Sequence, residues 1–133
     1  NAMTTTELDQ IHTKATALQE QVSQLKGSID ELYSSPLAPP VRSPAYQNLN
    51  KAEDRFVEIR RGIEYVLATH GLATLLRRVG GEVAMGQCAN LLAKMHASLT
   101  YLEQQINLAN SQLAVAAIAV ANRAMLPGES IAP

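Results

Sequence analysis

The chain has 133 residues, of which 47% are hydrophobic, 17% charged and 4% aromatic, with 11 basic against 12 acidic side chains. A chain of this length buries roughly two thirds of its unfolded surface in one core without disulfides or a metal. The near balance of charge excludes a chain-wide basic footprint for nucleic acid and an acidic tail, and the apolar content excludes a disordered chain.

Asn1-Ala2 ahead of Met3 reads as an expression-tag scar, with the native start at Met3. No basic stretch followed by an apolar run stands there, so no signal peptide is expected. The longest apolar run, Leu113 to Ala121, has nine residues. A membrane span needs about 20. Cys88 is the single cysteine, so no internal disulfide can form. Together these features predict a cytoplasmic protein.

Breakers divide the sequence into three helical segments near 5–33, 44–79 and 82–126. They form one domain over 4–126, with a Pro-rich connection at 34–43, a Gly80-Gly81 break and a tail at 127–133. The expected fold is all-α: three long helices in a bundle with coiled-coil-like packing, forming an oligomer.

In the first segment Leu8, Ile11, Ala15, Leu18, Val22, Leu25, Ile29 and Leu32 are spaced alternately three and four apart. A repeat of 3.5 residues keeps one line of side chains against a partner helix. Thr4 with Glu7 reads as a capping box at the helix start. Flanking charges are sparse and specify no partner.

The second segment opens on Ser43 as N-cap and Pro44 in the first turn. Leu49, Ala52, Phe56, Ile59, Ile63 and Val66 continue the same spacing, which next places His70 in the stripe. Gly71 follows, and a mid-helix Gly costs about 1 kcal/mol relative to Ala. The expectation is therefore a kink or stop at His70-Gly71, with the apolar stripe restarting at Leu72, Leu75, Leu76 and Val79. One continuous helix is the alternative.

The third segment holds the repeat longest, through Cys88, Leu92, Met95, Leu99, Leu102, Ile106, Ala109, Leu113, Ala116 and Val120. From Val83 to Asn122 only Lys94 and Glu103 are charged, and Leu108, Val115 and Ile118 lie off the stripe. A long helix that lacks a charged outer face is expected to be buried on several sides. Its C-terminal half is expected to need a partner chain.

Charge is uneven along the chain. Residues 1–41 sum to −3, residues 42–79 to +3 and residues 80–133 to −1. Exposed pairs between an acidic first helix and a basic second one would add only a few tenths of a kcal/mol each.

No catalytic, cofactor-binding or metal site is expected. No Glu-x-x-His pair involves His12, His70 or His96, Asp9 before His12 being the one acid at that spacing and without a matching pair on another helix, and Cys88 has no second ligand at helical spacing. Cys88 sits in the apolar stripe, where it reads as a small buried hydrophobe. The glycines from 80 to 86 lack the Lys-Ser/Thr pair of a phosphate loop. His70 could switch with pH or set register, but it reads first as a capping or solvated residue. Arg55, Arg60, Arg61, Arg77 and Arg78 lie among Glu53, Asp54, Glu58 and Glu64 and read as an ion-paired surface. The Pro-rich stretch reads as a semi-rigid connection.

The expected function is a non-enzymatic protein–protein interaction or oligomerisation module, a scaffold or adaptor subunit whose partner is a second copy or another helical protein. The interface residues expected to carry it are Leu18, Leu25, Leu99, Leu102, Ile106, Leu113, Val115, Ile118 and Val120. Alternatives are a secretion-associated helical protein (export substrate or chaperone) and, third, a helical regulator that binds nucleic acid through the second helix.

Overall fold

The structure is a computed structural model that describes residues 2–125, with side chains described from residue 5 to 124. The expected tail at 127–133 lies outside the described residues. Three helices make up the chain in order: α1 (Ala2–Ser34), α2 (Pro44–Val79) and α3 (Glu82–Met125). No described residue is in a strand.

The regular apolar spacing explains the packing. Leu8, Ile11, Ala15, Leu18, Val22, Leu25 and Ile29 of α1 are all buried, and Leu32 is half-buried against them. The six residues from Leu49 to Val66 of α2 and those from Cys88 to Ala109 of α3 are buried in the same cluster. Each large side chain moved fully from water to this core contributes about 1.5–3 kcal/mol. Leu8 meets His70 and Tyr33 meets Asn50, so α1 runs antiparallel to α2. Cys88 meets Ala73 and Gln105 meets Arg55, so α3 runs antiparallel to α2 as well. The bundle is up-down-up.

Local chemistry sets the boundaries. Ser43 accepts a hydrogen bond from the Tyr46 amide at 3.1 Å, and Pro44 follows it. This cap satisfies an amide that has no partner inside the helix. The connection is folded by two turns, with the Ala38 amide donating to the Ser35 carbonyl and the Ser43 amide to the Pro40 carbonyl. Arg123 donates to the Ala38 carbonyl at 3.3 Å, which ties the connection to the far end of α3. At the opposite end Gly80 and Gly81 have φ of 71° and 87°. Side chains with a Cβ rarely adopt that region, so two glycines make the tight reversal between α2 and α3.

Two local expectations are corrected. The first helix begins at Ala2, so Thr4 stands inside it rather than at the expected N-cap position. The helix α2 passes through His70-Gly71 without a stop. The original spacing continues through the break, because Ala73 is fully buried and Thr69 and His70 face inward beside it. Gly71 points to open solvent, where its missing side chain leaves no gap. Of the supposed restart, only Leu76 packs on the core, while Leu72, Leu75 and Val79 are exposed. A buried small residue outweighs the leucines around it because the period, not the size of the side chain, decides which face turns inward.

The helices α2 and α3 approach closely at Gly62. A Cβ there would stand 2.5 Å from a Leu102 methyl. Near the other end, the Tyr33 hydroxyl donates to the Asn50 side-chain oxygen and joins α1 to α2. Burial, and then the nearby Glu53 carboxylate, push the Tyr33 phenol well above its ordinary value.

This packing makes two outcomes testable. Gly71→Ala should raise stability by up to about 1 kcal/mol, seen as a higher urea midpoint, since the site is helical and open. Gly80→Ala should lower it, because the left-handed backbone there would be strained. A destabilising Gly71→Ala would show that α2 breaks at that point. The second outcome concerns pH. The folded state holds the Tyr33 proton more tightly than the unfolded state, whose phenol titrates at the ordinary value of 10.0. Stability should therefore be unaffected by this group below about pH 10 and fall as pH rises past it. Urea midpoints of the wild type and Tyr33→Phe should be parallel at pH 8–9 and converge at higher pH.

Candidate interaction surface

The inward stripes use up most of the residues from which an interface was expected. Leu18, Leu25, Leu99, Leu102 and Ile106 are all buried within the chain's own core. Leu113 and Val120 are half-buried. Only Val115 and Ile118, exposed by 45% and 60%, present apolar surface to the outside. The residues that hold the bundle together are thus distinct from those left available to a partner.

The groups that could have carried chemistry are engaged in the bundle. Cys88 is fully buried, with its thiol 3.5 Å from the Ala73 carbonyl. The His70 Nε2 lies 2.9 Å from the Leu8 carbonyl and bridges α2 to α1. Its ring centroid is 5.3 Å from that of His12. His96 lies 3.7 Å from Glu7. The three histidines therefore share the end of the bundle where α1 begins, each against a different neighbour. Among the described residues, no three His, Cys, Asp or Glu side chains converge in a metal-binding group.

Among the described residues Arg55, Arg60, Arg61, Arg77 and Arg78 form no ion pair, so the expected ion-paired surface is not present there. Arg55 donates to the side-chain oxygens of Gln105 and Gln112, crossing from α2 to α3. Arg60 and Lys26 lie over the Phe56 ring, at 5.3 Å and 5.4 Å. Such contacts cover apolar surface with the cation while its charge stays hydrated. Arg77 turns partly inward, and its Nε is buried without a hydrogen-bond partner. The seam position that Arg77 occupies follows Ala73 by four residues, so the helix period draws it inward.

One face of the bundle carries a second apolar pattern. On α2, Tyr65, Leu72 and Val79 repeat at seven-residue intervals, with Leu75 beside them, and all four are more than half exposed. On α3, Tyr101, Leu108 and Val115 repeat at the same interval, with Ile118 beside them, and all are exposed. Tyr65 and Tyr101 line one shallow groove with Gly62 and Leu102 at its floor. The two rows therefore border the same α2–α3 groove, on the side away from α1. Leu108, Val115 and Ile118 were legible in the sequence as apolar residues off the stripe. Tyr65, Tyr101, Leu72, Leu75 and Val79 were not, although the seven-residue spacing was there to find. Leu72, Leu75 and Val79 are large and apolar and read as a core stripe restarting after a kink at Gly71.

Among the described residues no helix is long and apolar enough to cross a membrane. No protein-family model, curated protein or solved structure matches the chain.

Proposed function

We propose that this chain is a non-enzymatic interaction module, a self-contained helical bundle that presents the α2–α3 face to another protein chain. The observation that carries the reading is the exposed row of Tyr65, Leu72, Leu75 and Val79 beside that of Tyr101, Leu108, Val115 and Ile118. Exposed apolar residues scattered singly are ordinary, but two regular rows that meet at one groove are an arrangement of the kind that marks an interface. Tyrosine adds to this, because its ring supplies apolar area and its hydroxyl keeps a polar contact. Arg55, Arg60 and Arg77 are turned onto the bundle itself, which gives a nucleic-acid surface on α2 less support.

The reading separates two kinds of substitution. Leu18→Asp or Leu25→Asp should lower stability by several kcal/mol in urea unfolding, because each places an unpaired charge in the chain's own core. Val115→Lys with Ile118→Lys should leave helix content and stability nearly unchanged, and should weaken self-association or abolish retention of a protein that the wild type captures. Circular dichroism, light scattering and affinity capture measure these outcomes. A wild-type chain that neither self-associates nor retains any protein would refute the module reading.

A further inference from the structure

The α2–α3 face has an internal regularity that points to its occupant. Read at seven-residue steps, α2 presents Glu58, Tyr65, Leu72 and Val79, and α3 presents Lys94, Tyr101, Leu108 and Val115. Each outer row is a charge followed by Tyr, Leu and Val. Because the helices are antiparallel, the two rows diverge from the Tyr65–Tyr101 groove. The α2 row runs toward the Gly80-Gly81 turn, and the α3 row runs toward the connection end. The exposed apolar residues therefore form one oblique band across the pair, with Glu58 and Lys94 at its two flanks.

Resting on the interaction-module reading, we propose that this band is a self-recognition surface and that its occupant is a second copy of the chain. Three observations favour the second copy. The first is area. All eight band residues, two of them tyrosines, are between 45% and 78% exposed, and two rows of large side chains offer the breadth of surface that pairing of two chains covers, a standard-size interface taking about 800 Å² from each partner.

The second is repetition. Tyr65 and Tyr101 stand side by side and each is followed on its row by Leu and Val, so a two-fold axis lying along the band brings Tyr65 against Tyr101 of the second copy and sets each Leu and Val beside its own copy. Symmetric pairing of one patch with itself is the commonest way in which soluble chains associate. The third is direction. Leu72 and Leu108 are about 21 Å apart along the helices at 1.5 Å per residue, and one interhelix spacing of about 8–10 Å apart across them. The ends of the band, Val79 and Val115, are about 42 Å apart along the helices on the same lateral spacing, so the band as a whole is tilted by about 12° from the helix axes, and laying it on itself crosses the helices of the two copies at about 25°, close to the magnitude of about 20° at which rows three apart pack into grooves four apart. A two-fold axis parallel to the helices would instead set Leu72 against Lys94, and one perpendicular to them would set Leu72 against Glu58.

The test is sedimentation equilibrium of the full chain from about 1 to 100 µM, the range in which a dimer of moderate affinity separates. The wild type should be a dimer, and Leu72→Lys with Leu108→Lys should weaken it at least tenfold while the circular dichroism spectrum stays unchanged. Both positions are exposed, so the variant keeps its core. Leu72→Cys should also form a crosslink to itself under mild oxidation. Glu58→Cys should not, and neither should the wild type, whose Cys88 is fully buried. A wild type that stays monomeric throughout overturns self-pairing, as does a dimer indifferent to the double substitution. A monomer that still captures a different protein through this face leaves the module reading standing, and one that captures none removes both.

Discussion

Three rows of apolar side chains, each advancing three and four residues at a time, must meet along one line, and the rest of the structure follows from that. The repeat sets which face of each helix turns inward, and it does so over the whole length of α2 and most of α3. A row that faces one line cannot change register without exposing large side chains, so glycine at position 71 does not interrupt α2. The same constraint draws His70 and Arg77 inward with Ala73, although neither is apolar.

The constraint is weakest where the seam residues are small or polar. Ala73, Ala84 and Cys88 lie at the end of the bundle that holds the α2–α3 turn, and Thr69 and His70 face inward there. Polar contacts supplement the apolar packing at this end, from His70 to the Leu8 carbonyl and from Cys88 to the Ala73 carbonyl. Such bonds contribute about 1 kcal/mol each when well made and cost more when a buried partner is left alone. The other end is joined differently. Tyr33 reaches Asn50, Arg55 reaches two glutamines of α3, and Arg123 holds the connection. Polar cross-links at both ends therefore frame an apolar middle, where Gly62 lets α2 and α3 approach closely.

That close approach also shapes the outside. With Gly62 against Leu102, the groove between α2 and α3 is shallow, and Tyr65 and Tyr101 stand at its rim. A shallow apolar surface suits another helical surface better than a small molecule, which is usually held in a concave, largely enclosed site. The low charge of α3 then has a physical consequence. Between Glu103 and Arg123 its outer face holds Leu, Val and Ile with Asn, Ser and Gln and no charged side chain, so covering that stretch would desolvate no charge.

Much of the architecture was legible in the sequence by itself. The three helices, the Ser43-Pro44 start, the glycine turn and the inward rows all follow from local chemistry and from the period of the apolar residues, which do not depend on the partner helix. Tertiary structure decided what the period alone leaves open. A row of leucines at the right spacing fits an inner or an outer face equally well, so Leu18 and Leu99 looked like partner-binding residues until the three rows were seen to close on one another. Leu72, Leu75 and Val79 looked like core because they are large and apolar. They lie outside because Ala73 holds the inward position in the unbroken register of α2. The contacts of Arg55 and the partners of the three histidines were likewise beyond sequence reading, since they depend on which residues two antiparallel helices bring to the same height, and that is set by the length of the turn and the closeness of the packing.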